Sequence, residues 1–315
     1  MERQSMILEK SQAIIGQVRK AVVGKDSVLL WVLAAILAKG HILLEDIPGV
    51  GKTTMALAFS RVLGLSQNRV QFTPDVLPSD VTGYSVPDRD GKLTYQRGAV
   101  LCNLFLADEL NRATSRTQAA LLEAMEEGQV TVDGISHKLP QPFVVIATQN
   151  PTGAAGTQLL PDSQRDRFIT QLSLGYPAPK EEVAMVLNRQ NREPLKELVP
   201  VTTAQELEMM QEAVARTHIS EELVRYVVDL ITATRKSGLL LQGASPRATL
   251  AVVAMSKAVA QLRGRDYVVP KDVQEVFVNT VAHRVLLSAK AEAEGKTQAQ
   301  ILEKILSAVA APKLR

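Results

Sequence analysis

Three short stretches carry residue types and spacings suited to phosphate chemistry. In "HILLEDIPGVGKTTMALAF" (41–59), Gly51-Lys52-Thr53 form the end of a phosphate-binding loop. That pattern runs Gly, four residues, then Gly-Lys-Ser/Thr. Asp46 stands where the first glycine is usual. A loop leading from a strand into a helix aims backbone N–H groups at an anion, and the helix N-terminus favours negative charge. Lys52 would reach the terminal phosphates, and the Thr53 hydroxyl would hold Mg²⁺. Gly49 and Gly51 would let the backbone come close. Pro48, Val50 and Thr54 complete the candidate loop. Asp46 tolerates unusual backbone angles, and its charge is harmless if the carboxylate faces away from the phosphates.

The second stretch, "LFLADELNRA" (104–113), is an apolar strand ending in Asp108-Glu109. At a nucleoside triphosphate site, the first carboxylate meets the metal and the second orients and deprotonates the attacking water. Read alone, the pair is also an ordinary acidic strand end. The third stretch, "VVIATQNP" (144–151), brings Asn150 to the end of another buried strand, within reach of a γ-phosphate or its water. Read alone, it is a turn before proline.

These residues need a scaffold of strand ends. Short apolar runs at 41–45, 69–73, 104–107, 143–148 and 168–174 alternate with helical segments. That rhythm predicts a parallel sheet covered on both faces. Two helices precede it over 5–38, broken at Val23-Gly24-Lys25. A helix over 52–63 ends at Gly64. Segments 84–96 and 128–139 read as β-hairpins turning at Asp90-Gly91 and Asp133-Gly134. From 180 onward the pattern is helical, over 180–191, 203–216, 220–236, 245–263, 270–287 and 297–309. Start signals stand at Thr203 with Glu206, Ser220 with Glu221, and Pro270 with Asp272. The amphipathic tail, 290–315, reads as a solvated terminal helix.

The bulk numbers narrow the class. At 315 residues and 46% apolar, the chain can bury a large core. Net charge is +3 without a block of Lys and Arg, so nucleic acid is not an expected partner. Cys102, the single cysteine, lies in an apolar run and reads as a buried structural thiol in a reducing compartment. The N-terminus lacks the apolar core of a signal peptide, and the most apolar run, 27–38, is too short to span a bilayer. A cytoplasmic protein without membrane insertion is expected.

Taken together, "LLEDIPGVGKT", "FLADELNRA", "LLEAMEEGQVTVDG", "VIATQNP", "LPDSQRDRF" and "GASPRA" resemble the ordered motifs of AAA+ ATPases, specifically the MoxR family, over roughly residues 5–290. The resemblance implies an α/β fold: a three-layer αβα sandwich on a parallel five-stranded sheet, order 5-1-4-3-2, with two β-hairpin inserts. It assigns 1–176 to this nucleotide-binding core and 177–315 to an all-helical lid. It implies ATP and Mg²⁺ as ligands, an oligomeric ring that is a hexamer by family habit, and chaperone-like action on a client. Partners in the family often carry von Willebrand factor A domains. "RF" after "LPDSQRD" makes Arg167 the arginine finger for a neighbouring subunit, with Arg165 as the alternative. "GASPRA" places Arg247 on the lid over the γ-phosphate, and "VVGK" puts Val23 and Gly24 near adenine. The expected catalytic set is thus Glu109, Asn150, Arg167 and Arg247. A DNA-directed motor of the same clade, a magnesium chelatase ATPase subunit and a non-hydrolysing nucleotide switch are the alternatives.

Overall fold

The computed structural model describes residues 2–47, 49–150, 160–190 and 192–313, the side chains of 2–5 and 189 excepted. Helices α1 (Glu2–Ala21) and α2 (Asp26–Leu37) lead into strand β1 (Ile42–Glu45), helix α3 (Lys52–Val62), strand β2 (Gln67–Gln71) and the short helix α4 (Pro78–Thr82). Hairpin strands β3 (Gly83–Pro87) and β4 (Leu93–Arg97) precede β5 (Leu104–Asp108) and helix α5 (Ser115–Glu127). A second hairpin, β6 (Gln129–Val132) with β7 (Ile135–Lys138), precedes β8 (Val144–Gln149), α6 (Asp162–Arg165) and β9 (Thr170–Leu172). Helices α7 (Pro179–Arg189), α8 (Ala204–Ala215) and α9 (Glu221–Lys236) come next, with strand β10 (Leu240–Gln242). Helices α10 (Pro246–Leu262) and α11 (Pro270–Val281), strand β11 (Leu286–Leu287), and helices α12 (Ala289–Ala293) and α13 (Gln298–Ala308) finish the chain.

Side-chain alternation along the strands sorts the core into two faces, because successive residues point to opposite sides of a sheet. Ile42, Leu44, Leu104, Leu106, Val144 and Ile146 join one apolar cluster with α1, α2 and α3. Leu43, Phe105, Ala107, Val145 and Ala147 join a second with α5. The five strands run parallel in the order β2-β5-β8-β1-β9. Counted along the chain and read from the β9 edge, this is the expected 5-1-4-3-2. The α/β three-layer arrangement is therefore as expected. All parallel strands end on one side, so Glu45, Asp108 and Gln149 share one rim.

The first cluster continues into the C-terminal helices through Leu207, Leu230, Val252, Val273 and Phe277. Helices α1 and α2 pack on α10, and α2 also packs on α8. The three helix starts read from sequence are built as capping chemistry requires. Thr203 Oγ1 accepts from the Glu206 N–H at 3.2 Å, and Glu206 accepts in return from the Thr203 N–H. Ser220 Oγ accepts from Leu223 N–H, and Asp272 accepts from Val269 N–H.

Several details differ from the sequence reading. β2 spans 67–71 rather than 69–73; it is an edge strand, where polar Gln67 and Asn68 are tolerated. Helix α5 has no counterpart in that reading, although Thr114 caps it and Gly128 ends it at φ 63°. The expected helix over 270–287 stops at Val281, because a 3₁₀ turn carries His283 and Arg284 inward to the Phe168 carbonyl. Beyond that turn β11 pairs antiparallel with β10, a short strand pair in the mainly helical C-terminal region. Helix α13 is docked rather than solvated: Ile301 and Leu302 are buried, and it packs on α9 and α11.

Both hairpins form. In the second, Asp133 (φ 50°) and Gly134 (φ 77°) supply the two positive angles of a tight turn. The first turns differently: Asp88 Oδ1 accepts from the N–H groups of Asp90 and Lys92, and only Gly91 has positive φ. Tyr95 of β4 stacks on His137 of β7 with ring centroids 3.7 Å apart, which ties the two hairpins together.

Candidate nucleotide site

The loop after β1 solves the problem posed by Asp46. The ladder continues one residue past the strand, with Asp46 N–H donating to the Gln149 carbonyl. The Asp46 side chain turns toward the end of β9. Its Oδ2 accepts from Gly175 N–H at 2.6 Å and Ser173 Oγ at 3.0 Å, and its Oδ1 accepts from Ile47 N–H. Burial raises its pKa, but these donors outweigh burial and hold the carboxyl below the usual aspartate range. The charge is spent on the sheet edge, away from the phosphate cavity.

That cavity, about 250 Å³, is lined by Gly49, Gly51, Lys52, Thr53, Thr54, Asp108, Glu109 and Asn150. Gly49 and Gly51 hold φ of 86° and 98°, and a Cβ on either would meet no protein atom within 4 Å. Glycine is required there for the backbone angle. Gly51 caps α3, whose first residues are Lys52, Thr53 and Thr54. Val50 packs against the first core cluster, and Pro48 lies outside the described residues.

A line of side chains crosses the cavity floor. Lys52 Nζ donates to the Asp46 carbonyl at 2.6 Å and to Asn150 Oδ1 at 3.2 Å. Asn150 Nδ2 donates to Glu109 Oε1 at 3.1 Å, and Arg112 Nη1 donates to Glu109 Oε2 at 2.9 Å. Burial lowers the Lys52 pKa, opposed by the charges of Asp46, Asp108, Glu109 and Glu45. Arg112 is the first cause holding the Glu109 carboxyl below its ordinary range; partial burial opposes it and Asn150 assists. Glu109 also sits in the left-handed region at φ 56°, an uncommon place for a residue with a long side chain. The bend swings its carboxylate off the strand axis and across to Asn150, while its N–H is held by Thr148 Oγ1 at 2.8 Å.

Asp108 is fixed on both oxygens. Thr148 Oγ1 donates to Oδ1 at 2.6 Å, and Arg69 Nη2 donates to Oδ2 at 2.8 Å. Thr53 Oγ1 is 3.4 Å from the same Oδ2. A hydroxyl beside a carboxylate is a hard-oxygen donor set of the kind Mg²⁺ takes, with phosphate and water completing six positions. The residues therefore fit the ion, and Thr53 and Asp108 are the candidate ligands. No cluster of three or more His, Cys, Asp or Glu forms a metal cage among the described residues.

A second cleft, about 380 Å³, adjoins Thr54 and is lined by Ala21, Arg192, Glu193, Pro194 and Leu195. Thr54 lines both the phosphate cavity and this cleft. Val23 and Gly24 do not line it. Gly24 (φ 72°) packs against α7 so closely that a Cβ would meet the Glu181 carboxylate. Next to it, Lys25 Nζ donates to the Tyr176 carbonyl at 2.9 Å.

The two remaining candidates lie elsewhere. Arg167 and Arg247 do not line the phosphate cavity of their own chain. Both donate to one carboxylate, Glu126 in the last turn of α5: Arg247 Nη2 at 2.6 Å to Oε1, and Arg167 Nη1 to Oε2. The resemblance puts Arg247 over a γ-phosphate; within this chain its guanidinium lies on Glu126. Helix α10 is packed on α2, α8 and α11, which puts its first turn over α5. Ser245, its N-cap residue, donates to Asp166 Oδ2 at 3.1 Å. Arg165 folds back on Asp162 within α6, whereas Arg167 extends to Glu126 and the Leu122 carbonyl. Asp166 between them accepts from buried Arg284 at 3.0 Å.

Arg69, Arg112 and Glu126 were absent from the sequence reading. Arg112 and Glu126 stand inside quoted motifs, and Arg112 follows Glu109 at the i,i+3 spacing of an ion pair. Nothing local marks Arg69; only the β2–β5 register, which sets Arg69 opposite Leu106, brings it to Asp108.

Comparison with known proteins accords with this geometry. The ATPase family associated with various cellular activities (AAA) matches residues 41–170, and the AAA lid domain matches 232–305. The Chaperone MoxR1 of Mycobacterium tuberculosis is 38% identical over 95% of this chain and 82% of its own length. The protein YeaC of Bacillus subtilis is 41% identical over 96% of this chain and 94% of its own. The crystal structure of a candidate ATPase from Cytophaga hutchinsonii superposes with a TM-score of 0.91 at 35% identity, covering 99% of this chain and 98% of the other.

Proposed function

Because the chain belongs to the MoxR family of AAA+ ATPases, we propose that it hydrolyses ATP to ADP and phosphate at joints between copies of itself. The cycle serves chaperone-like remodelling or maturation of partner proteins. The observation that carries the reading is the continuous line Asp46 carbonyl, Lys52, Asn150, Glu109, Arg112 across the cavity floor. It joins a phosphate-binding cation to a carboxylate base through one amide.

Lys52 and the N–H groups of the loop bind the β- and γ-phosphates. Thr53 and Asp108 would hold Mg²⁺, which would neutralise phosphate charge. Arg69 holds the Asp108 oxygen that would face the ion. Asn150 is held at one end by Lys52 and at the other by Glu109, so a γ-phosphate that engages Lys52 and the Asn150 amide frees one Glu109 oxygen. Glu109 then accepts the proton of the attacking water. Arg112 opposes this by keeping the carboxylate ion-paired, which sets a low resting rate.

Arg167 and Arg247 complete the site from the neighbouring subunit. An arginine supplied in trans neutralises charge on the leaving phosphoryl group and accelerates hydrolysis by about 10³–10⁵. A closed homo-oligomer, a hexamer by family habit, satisfies this arrangement. Its clients include von Willebrand factor A domain proteins as the first class to test. Among the described residues no helix is long and apolar enough to cross a membrane, and action in the cytoplasm is proposed.

The test is ATPase rate per subunit against protein concentration, for wild type and Arg167→Ala. A rate that climbs with concentration and collapses in the variant supports the shared site. A flat rate that the substitution leaves unchanged overturns it. Stimulation by a purified von Willebrand factor A partner, against DNA as the comparison, decides between protein client and DNA track.

A further inference from the structure

The sharing of Glu126 by two cations has a consequence for how the trans arginines work. Arg167 comes from the turn after α6, in the sheet region; Arg247 comes from the first turn of α10, in the helical region. Nothing in the chain path brings them together, since 79 residues separate Asp166 from Ser245 alone. Two guanidinium groups at close range repel, and Arg167 is held below the ordinary arginine range by burial first and then by the charge of Arg247. Glu126 is the anion that offsets this. Each of its oxygens takes one arginine, so the two are set side by side.

Glu126 itself is well mounted. Its neighbour Met125 is buried, and the Met125 carbonyl accepts from His41 Nε2 at 3.1 Å while Val145 N–H donates to His41 Nδ1 at 3.0 Å. On the other side, the Phe168 carbonyl, next to Arg167, accepts from Arg284 Nη2 at 2.6 Å. The carboxylate and one of its arginines are thus anchored to the sheet.

We propose that Glu126 is a positioning residue that gathers Arg167 and Arg247 into a two-cation receptor for the terminal phosphate bound by a second copy of the chain. The inference rests on the shared-site reading above. Two cations on one carboxylate leave a net positive charge at the surface, and a phosphate of higher charge attracts both together. Without Glu126, Arg247 and Arg167 part, and each reaches the phosphate from an unprepared position.

The experiment measures kcat and KM for ATP at saturating protein concentration in Glu126→Gln, Glu126→Asp, Arg167→Ala, Arg247→Ala and the double variant Glu126→Gln/Arg247→Ala. Thermal melting and binding of a fluorescent ATP analogue accompany each. Glu126→Gln is expected to lower kcat about tenfold with KM and analogue affinity unchanged, equivalent to about 1.4 kcal/mol in the barrier. Glu126→Asp keeps the charge and recovers most of the rate. In the Arg247→Ala background, Glu126→Gln slows turnover by less than it does in wild type, because only Arg167 is left for it to position; a full tenfold loss there overturns the proposal. If Glu126→Gln does not fold, Glu126→Asp and the Arg247→Ala comparison carry the test: an Asp variant as slow as Arg247→Ala overturns the proposal. A collapsed Arg167→Ala beside an unchanged or faster Glu126→Gln overturns this inference alone. A wild-type rate in Arg167→Ala overturns the shared-site reading and this inference with it.

Discussion

The phosphate end of the sheet and the arginine cluster on α5 handle charge in opposite ways. At the sheet rim the candidate reactive groups are each engaged: Lys52 by the Asp46 carbonyl and the Asn150 amide oxygen, Glu109 by Arg112, Asp108 by Arg69. On α5, two arginines divide one glutamate. The rim is a site at rest, its reactive carboxylate occupied. The cluster is short of an anion. On the shared-site proposal, the contrast means that one copy carries the phosphate-binding groups and displays the cations its neighbour's site needs on a different surface of the same fold.

Substitutions that strike the two regions separately break or sharpen this contrast. Lys52→Ala has the largest expected effect. Loss of its charge-assisted bonds weakens ATP binding by about 100-fold or more, and turnover is abolished. Retention of wild-type affinity by equilibrium titration sinks the assignment of the rim. Arg167→Ala comes next: turnover at high protein concentration drops by about 10³ while analogue binding is unchanged. Equal loss of binding would mean that the cluster serves its own cavity. Glu109→Gln slows hydrolysis by about 10² and accumulates bound ATP in a rapid filtration assay; hydrolysis at the wild-type rate removes Glu109 from the mechanism.

Arg112→Ala should act in the reverse direction. Freed from its first-ranking partner, the Glu109 carboxyl rises toward its ordinary range, and the basal rate of unassembled protein increases about twofold to fivefold, on the order of 0.4–1 kcal/mol. A fall in basal rate shows that Arg112 helps rather than restrains.

The smallest effect is a pH slope. Burial pushes His41 down to about 4 and His283 down to about 3, against about 6.5 when unfolded. Below about pH 6.5 the unfolded chain takes up these protons and the folded chain does not. Their stabilising contribution is full above pH 6.5 and erodes as pH falls, by up to about 1.4 kcal/mol per unit for each histidine. Melting temperature between pH 7 and 5 should therefore decline, and less steeply in His283→Asn. An identical slope in that variant removes His283 from the account. His41 and His283, whose rings meet the carbonyls of Met125 and Phe168 beside Glu126 and Arg167, stay neutral in the folded chain over that range, so the decline reports global stability.

How much of this was legible in the sequence follows from what each feature depends on. The parallel sheet was readable because its strands are short apolar runs covered on both faces. Gly51-Lys52-Thr53 and Asp108-Glu109 were readable because a phosphate loop and a strand-end acid pair are local patterns. The fate of the Asp46 carboxylate was not, since its donors, Ser173 and Gly175, lie more than a hundred residues away. The contact of Arg247 with Glu126 was not legible either, because sequence shows which helix carries Arg247 but not where that helix docks. The end of α11 was missed for a similar reason: the apolar period runs on, while the pull of the Phe168 carbonyl on His283 and Arg284 is tertiary.

The stacked rings of Tyr95 and His137 give the hairpins a mechanical meaning. Each two-stranded ribbon alone is a weak lever, free to twist about its root. Joined ring to ring, with Tyr95 Oη also donating to the Thr82 carbonyl beneath, they stiffen into one jaw with exposed Leu93 and Ile135 on its lips. On the proposed remodelling function, a polypeptide held at one lip would load both roots, and movement at the sheet would reach it through two struts rather than one.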